Sequence, residues 1–299
     1  MNDNEIDIYE IISVLYRKKI SILAISLLFI IISLVIAFSV PNKYSSVALL
    51  APSGDQNTNK MLGQMGGLAS LASFTLDENS SKTEEAIERI QSFEFFEQFI
   101  FSEGMLLNLM ASKGWDSNSK QVVYDSKKYD FSNRQWVRKS PIPFTAISKK
   151  PSLQEAYNSY LKMLYIAKDS RTGFTEISAT HYSPYVAQRW CSKIISEINR
   201  SMREDERLRV QRSIDFLNDQ YLDANYKEIK IAASSLIEEQ MKSLMYVEAS
   251  ESFVFKVIDS PIVSEFKSSP KRSLILIAGF IMGLITSFII ILYSHYRNK

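Results

Sequence analysis

The chain has almost none of the residues that build disulfides, metal clusters or nucleophilic active sites. Cys191 is the only cysteine among 299 residues, and His181 and His295 are the only histidines. One cysteine excludes an intrachain disulfide and a multi-cysteine metal site. Two histidines so far apart argue against a histidine metal cluster or a nucleophile–base pair. A phosphate-binding loop of the G-x-x-x-x-G-K-[ST] type is also missing. We therefore expect no catalytic residue, no metal site and no cofactor.

An excess of one charge sign is also missing. The 35 basic and 33 acidic residues nearly cancel, and the stretch 41–272 holds 30 of the former and 29 of the latter. A nearly neutral domain is not built to hold a nucleic acid by bulk electrostatics, so we expect no nucleic-acid partner. A pair of acidic residues for glycoside hydrolysis stays an open alternative, because 29 acidic residues always offer pairs. None of these pairs stands in a distinctive sequence setting.

Glycine and proline are absent over 76 residues, from Tyr185 to Ser260. Ser183 and Pro184 just before this stretch are a typical N-cap and first helical residue. They predict a helix over about 184–250, which would be about 100 Å long at 1.5 Å per residue. Such a helix is too long for an ordinary globular domain.

The apolar side chains of this helix form stripes that need cover from water. Either the helix folds back on its own chain or it packs against neighbouring subunits, and we favour the neighbours. The residues predicted to pack between subunits are Trp190, Ile194, Ile198, Val210, Ile214, Leu217 and Tyr221. A charged block, 203–209, separates two of the stripes and offers ion pairs such as Asp205–Arg209, each worth a few tenths of a kcal/mol.

Long apolar runs are present at both ends of the chain. Ile20–Val40 and Ser273–Tyr293 are each 21 residues without a charge, and about 20 residues suffice to cross a bilayer core as a helix. The predicted organisation has five parts: an N-terminal tail 1–19, a first transmembrane helix 20–40, a domain 41–272, a second transmembrane helix 273–293 and a C-terminal tail 294–299.

Basic residues beside the spans predict the orientation. Arg17, Lys18 and Lys19 precede the first span, and Arg297 and Lys299 follow the second. Because such residues tend to stay in the cytoplasm, we expect both tails there and 41–272 on the other side of the membrane. A cleaved signal peptide is the alternative for the first span. Its apolar core would be shorter and its leader less acidic, so we favour a retained anchor.

Shorter patterns predict the architecture of the middle domain. Residues 43–50 and 253–258 are strand candidates that could pair, and 164–168 with 174–181 suggest a hairpin. Capping boxes begin helices at Ser81 and Ser152, and apolar spacing in 5–19 suggests a helix on the membrane surface. We expect an α/β (α+β) domain with a small membrane-proximal sheet and one very long helix, flanked by two transmembrane helices. No fold could be assigned to 112–150.

Small residues suggest where the two spans meet. Gly279 and Gly283 form a G-x-x-x-G motif in the second span, and Ser33 and Ala37 have matching spacing in the first. Small side chains let helices approach closely. We expect these four residues to carry transmembrane packing.

Four blocks of the chain resemble the polysaccharide co-polymerases, specifically the Wzz-type O-antigen chain-length determinants. They are EIDIYEIISVLYRKK, MLGQMGGLASLASF, SRTGFTEISATHYSPYVAQRWCSKIISEINR and KVIDSPIVSEFKSSPKRSLILIAGFIMG. The last block contains the membrane-proximal motif residues Pro261, Pro270 and Lys271. It departs from the family pattern in having fewer prolines before the second span.

The resemblance implies a bacterial inner-membrane protein whose α/β domain, 41–272, lies in the periplasm. It also implies a non-enzymatic scaffold that assembles with itself into a ring and sets the modal length of a polysaccharide made by a Wzy-type polymerase. The expected partners are other copies of the chain, that polymerase, the growing lipid-linked polysaccharide and membrane lipid. Two other functions are weighed against it. One is an inner-membrane adaptor of a capsule or exopolysaccharide exporter, and the other is a membrane-anchored sensor, for which the short tails leave no signalling domain.

Overall fold

The computed structural model describes residues 16–53, 82–138, 149–223 and 226–297. The described chain divides into two compact units. One joins the residues up to Lys43 with those from Phe266 onward, and the other is Tyr44–Glu265. Three predicted features lie outside the described residues: the surface helix of the leader, the MLGQMGGLASLASF block and the Ser81 cap.

The first unit is a pair of apolar helices. Helix α1 is Lys19–Ser39 and helix α8 is Arg272–Arg297, and the two pack along each other. Both are long and apolar enough to cross a membrane. The segment after α1 is joined to the segment before α8, because the Lys43 backbone N–H donates to the Ser269 carbonyl at 2.9 Å.

The second unit is built on a four-stranded antiparallel sheet. Its strands are β1 (Tyr44–Pro52), β6 (Leu164–Lys168), β7 (Thr175–His181) and β8 (Phe255–Asp259), and they lie in the order β6-β7-β1-β8. Strand β1 lies between β7 and β8, pairing Ala48 with Ile177 on one side and Leu50 with Val257 on the other. The predicted hairpin and the predicted pairing of the first and last strands are both confirmed.

One face of this sheet carries the core. Ala48, Leu50, Ile177 and Ala179 alternate along β1 and β7 and are fully buried, as expected for the inner face of a half-buried sheet. Helix α6 (Pro184–Asp223) packs across both strands. The first half of α6 therefore belongs to the core of a single chain.

Shorter helices complete the core. They are α2 (82–91), α3 (Phe93–Phe95) continuing as a π-helical turn Phe96–Ile100, α4 (Glu103–Ala111) and α5 (Leu153–Met163). Tyr160 on α5 is buried, and its hydroxyl donates to the Ile90 carbonyl at 2.8 Å. The Ser152 cap is confirmed, because its hydroxyl accepts from the Glu155 N–H at 3.2 Å.

The stretch that the sequence could not assign contains two small hairpins. Strand β2 (Ser112–Asp116) pairs with β3 (Gln121–Tyr124), and β4 (Tyr129–Asp130) pairs with β5 (Gln135–Trp136). Aromatic contacts stabilise the second hairpin, where the Tyr129 and Trp136 rings lie 5.2 Å apart. Strands this short contain too few alternating polar and aromatic residues to show a period of two, so the sequence did not predict them.

The prediction of one helix over 184–250 is wrong. Helix α6 ends at Asp223, and a separate helix α7 (Lys227–Ala249) runs back along it. The Arg203 guanidinium donates to the Ser250 carbonyl at 3.0 Å, which brings the far end of α7 beside the middle of α6. Neither glycine nor proline marks the reversal, so composition alone gave no sign of it. The remaining helix α6 is still about 60 Å long.

One buried side chain joins α6 to the returning strand. Asn199 accepts from the backbone N–H groups of Val254 and Phe255 at 2.9 Å each and donates to the Phe255 carbonyl at 3.0 Å. A second donation, to the Ile195 carbonyl, satisfies its amide. Buried polar groups are costly unless they are paired, so Asn199 fixes where β8 begins.

We expect Asn199→Ala to lower the free energy of unfolding by about 3 kcal/mol, because it leaves several buried backbone groups unpaired. Urea unfolding of the full chain in detergent, followed by tryptophan fluorescence, measures the effect. Asn218→Ala, at an exposed position of the same helix, is the matched control and should change stability by less than about 0.5 kcal/mol. Equal stability of the two variants would contradict the assigned role.

Candidate functional site: the helix pair and the helical hairpin

The two apolar helices meet through small residues. A Cβ atom added to Gly279 would lie 2.6 Å from the Cβ of Ser33, and one added to Gly283 would lie 2.9 Å from the Cα of Ser26. Such distances are below van der Waals contact, so these positions exclude any larger residue. Ser33 and Ala37 are buried on α1. The four residues chosen from the sequence therefore lie at or beside the contact, and their role in assembly stays a prediction.

The residues of the predicted membrane-proximal motif are divided between the two units of the chain. Pro261 follows β8 in the second unit, whereas Pro270 and Lys271 belong to the helix-pair unit. There the Lys271 carbonyl accepts from the Leu274 N–H at 3.0 Å, at the start of α8. Pro270 and Lys271 thus lie where the second span begins.

The predicted inter-subunit stripe divides into buried and accessible parts. Trp190, Ile194 and Ile198 are buried in the core of one chain, so the structure corrects their assignment to subunit packing. Val210 and Ile214 are also buried, in the half of α6 along which α7 runs. Only Leu217 and Tyr221, towards the end of α6, keep accessible surface.

Beyond the core, the helical hairpin formed by α6 and α7 keeps an exposed apolar surface. Phe216 is 61 % exposed, Leu222 74 %, Ile231 61 % and Met245 69 %. We call this set the hairpin surface; it also includes Tyr221, Tyr226, Ile229, Leu236 and Met241. Folding back therefore covers one stripe and leaves another in water. Exposed apolar area of this kind is typical of interaction sites.

Sequence reasoning missed most of the hairpin surface. It selected one periodic stripe along α6, whereas Phe216 and Leu222 lie off that stripe. The available signal was the number of apolar residues after 210, which exceeds what one face of a helix can hold.

The charged block in the middle of α6 links it to α2. Asp205 contacts Arg89 of α2 rather than Arg209, and Arg209 pairs with Glu206 at 2.5 Å. The predicted Asp205–Arg209 pair is therefore wrong. Its partner was invisible in the sequence because Arg89 is 116 residues away.

The two groups best suited to chemistry serve the fold. Burial raises the pKa of the Cys191 thiol to about 12, and its sulfur lies 3.3 Å from the Ile177 carbonyl. His181 is buried, accepts from the Ser183 N–H through Nδ1, and reaches the Asn108 carbonyl and the Ser112 hydroxyl through Nε2. Within the described residues, no group of three or more His, Cys, Asp or Glu could hold a metal ion.

We expect Gly279→Leu to separate α1 from α8, because the new side chain would occupy the position of Ser33. The measurement is disulfide cross-linking between paired cysteines placed in the two helices, in a Cys191→Ser background. Cross-linking yield should fall several-fold. Ala278→Leu, at the adjacent exposed position, adds the same side chain and should leave the yield unchanged; a matching loss in both variants would contradict this packing.

The raised pKa of Cys191 predicts slow alkylation. Only the thiolate reacts, and a group with its pKa near 12 is almost entirely protonated at neutral pH. A water-soluble maleimide should therefore label the folded chain at least about a hundredfold more slowly than the chain unfolded in urea, where the thiol has an ordinary pKa. Mass spectrometry reads this directly, since the chain has one cysteine. Rapid labelling of the folded chain would contradict the burial.

Part of the chain is similar to a known protein family. Residues 4–103 match the model of the family described as "Wzz: Chain length determinant protein". No curated protein sequence matches the chain. Among solved structures, a full-length bacterial polysaccharide co-polymerase aligns over 99 % of both chains at 12 % identity, with a TM-score of 0.39. A fragment of the WzzB polysaccharide co-polymerase from Salmonella Typhimurium aligns over 76 % of this chain and 100 % of its own at 13 % identity, with a TM-score of 0.31.

Within the described residues, the family match covers α1, β1, α2, α3 and the π-helical turn. It includes two of the four blocks that carried the resemblance in the sequence. The architecture agrees with the predicted class, since a mixed helix-and-sheet unit with one long helix lies in the chain between two apolar helices. Residues 4–103 of the chain are therefore similar to the Wzz chain length determinant family, which agrees with the resemblance seen in the sequence.

Proposed function

We propose that the chain is a non-enzymatic scaffold that regulates the modal length of lipopolysaccharide O-antigen, or of a related surface polysaccharide, made by a Wzy-type polymerase. It acts as a homo-oligomer in the bacterial inner membrane. Its partners are other copies of itself, the polymerase, the growing lipid-linked polysaccharide and membrane lipid. The family match over residues 4–103 supports the role in chain length.

The observation that carries the proposal is the hairpin surface. Several large apolar side chains on one hairpin remain more than half exposed in the single chain. Burying an apolar side chain of this size contributes about 1.5–3 kcal/mol, so association through this surface is strongly favoured. A second copy supplies an identical surface, which makes a repeated contact between subunits the simplest cover.

The orientation follows from charge and from the two apolar helices. Both helices are long enough to span, and the basic residues Arg17, Lys18, Lys19 and Arg297 flank them on the tail side. These residues keep the tails in the cytoplasm. The unit Tyr44–Glu265 then lies in the periplasm.

In this scheme the chain acts by positioning other molecules. The sheet unit holds the base of each hairpin, because α6 is anchored in the core through Ile194 and Ile198. Copies that associate through their hairpins form an assembly of defined size. That assembly organises polymerases or the growing polymer, and the polymerase performs the glycosyl transfer.

We expect Phe216→Asp to reduce the size of the assembly and to shift the polysaccharide length distribution without removing polymer. A buried charge at the interface would cost several kcal/mol unless paired. Native mass measurement in detergent and gel analysis of surface polysaccharide from a complemented deletion strain give the two readouts. Asn218→Asp adds the same charge two residues away at an exposed polar position and is the matched control.

Ile214→Asp is unsuitable for this purpose, because Ile214 is buried within the single chain and the variant would unfold the hairpin. In the deletion strain itself, polymer should reach the surface with an unregulated length distribution. Complete loss of surface polysaccharide would instead indicate an export adaptor and contradict the proposal.

A further inference from the structure

A groove lies beside the start of α6, away from the hairpin surface. It has a volume of about 450 Å³ and is formed between the β2–β3 hairpin and the first turns of α6. Its size falls in the range of ligand sites, about 300–1,000 Å³. The groove lies wholly within the unit Tyr44–Glu265.

Aromatic and apolar side chains line the groove from both elements. Trp115 and Val122 are paired across β2 and β3, so they lie on one face of that hairpin. Tyr185 and Val186 come from α6, and the rings of Trp115 and Tyr185 lie 5.7 Å apart, inclined at 44°. Tyr185 remains 41 % exposed. Two ring surfaces are thus open to a ligand.

Two cations complete the lining. Arg189 lies one turn after Tyr185 on the same face of α6, and Lys120 is held in the β2–β3 turn with a positive φ of 51°. Neither side chain makes a hydrogen bond or ion pair with any part of the chain that the structure describes. The acid of this turn, Asp116, is already engaged by the Asn118 N–H and the Ser119 hydroxyl. The groove therefore presents positive charge that is available to a ligand.

We propose that this groove binds an acidic sugar unit of a polysaccharide. The apolar C–H face of a pyranose ring suits the π faces of Trp115 and Tyr185. A carboxylate on the same sugar would pair with Arg189, whose planar guanidinium matches it in a bidentate fashion, and with Lys120. The inference rests on the proposed function, which supplies a polysaccharide as the molecule that the chain meets.

Binding of a defined probe tests the groove directly. The full chain in detergent is titrated with tetragalacturonate, and with maltotetraose as a neutral sugar of the same length. Tetragalacturonate should bind, and it should bind more weakly as salt is raised. Arg189→Gln and Trp115→Ala should each weaken binding by about tenfold. Arg212→Gln, at an exposed position further along α6, should leave binding unchanged.

Several outcomes would overturn the inference. These are failure of the wild-type chain to bind tetragalacturonate, equal binding of maltotetraose, or unaltered binding by the Arg189 and Trp115 variants. Inorganic pyrophosphate tests for a simple anion site. If it competes fully and its own affinity is the same in Trp115→Ala, the groove recognises charge and not sugar.

The outcome for the groove can be separated from that for the proposed function. Arg189→Gln and Arg212→Gln are compared in the complemented deletion strain by gel analysis of surface polysaccharide. If deletion leaves the length distribution unaltered, the proposed function fails, whatever the binding result. If deletion alters the distribution and the wild-type gene restores it, while the groove variants still bind tetragalacturonate normally, the groove inference alone fails.

Discussion

Helix α6 packs across strands β1 and β7, and the other elements of the domain are held in place through this contact. It buries Ile194, Ile198 and Cys191 against one face of the sheet and holds together segments that are more than a hundred residues apart in sequence. The sheet needs α6 to cover its apolar face, since the hydrophobic face of a sheet must be buried against another element. Asn199 extends the same contact to β8, so that the returning chain is fixed by the helix as well as by its neighbour in the sheet.

That anchoring explains why the far half of α6 is exposed. The sheet can cover only the first part of a helix about 60 Å long, and α7 then covers one side of what remains. Val210 and Ile214 are buried by this arrangement, whereas Phe216 and Leu222 are not. A chain that anchors one end of a helical hairpin and leaves apolar side chains on the other is organised for association. This division between a buried base and an exposed apolar surface is the feature that supports the scaffold role proposed above.

The sequence was most informative where a local pattern decides the structure. The Ser152 and Ser183 caps, the hairpin of β6 and β7, and the two apolar spans were all predictable, because capping, alternation and helix length are set by neighbouring residues. The stretch 112–138 was not, since its short strands depend on aromatic contacts such as Tyr129 with Trp136. For the candidate site, Gly279 and Ser33 were found from their spacing. The groove beside Trp115 was not predicted, because Arg189 lines it from a helix that is far away in the sequence.

Sequence patterns were enough to predict two long apolar helices, a mixed α and β domain between them in the chain, and the start of α6 at Pro184. Each follows from hydropathy or from the backbone preferences of a few adjacent residues. The folded chain was needed to show that the long helical stretch divides and reverses after Asp223, and which apolar stripe stays in water. Both depend on which distant surfaces meet, and an apolar periodicity is the same whether its partner is the same chain or another copy.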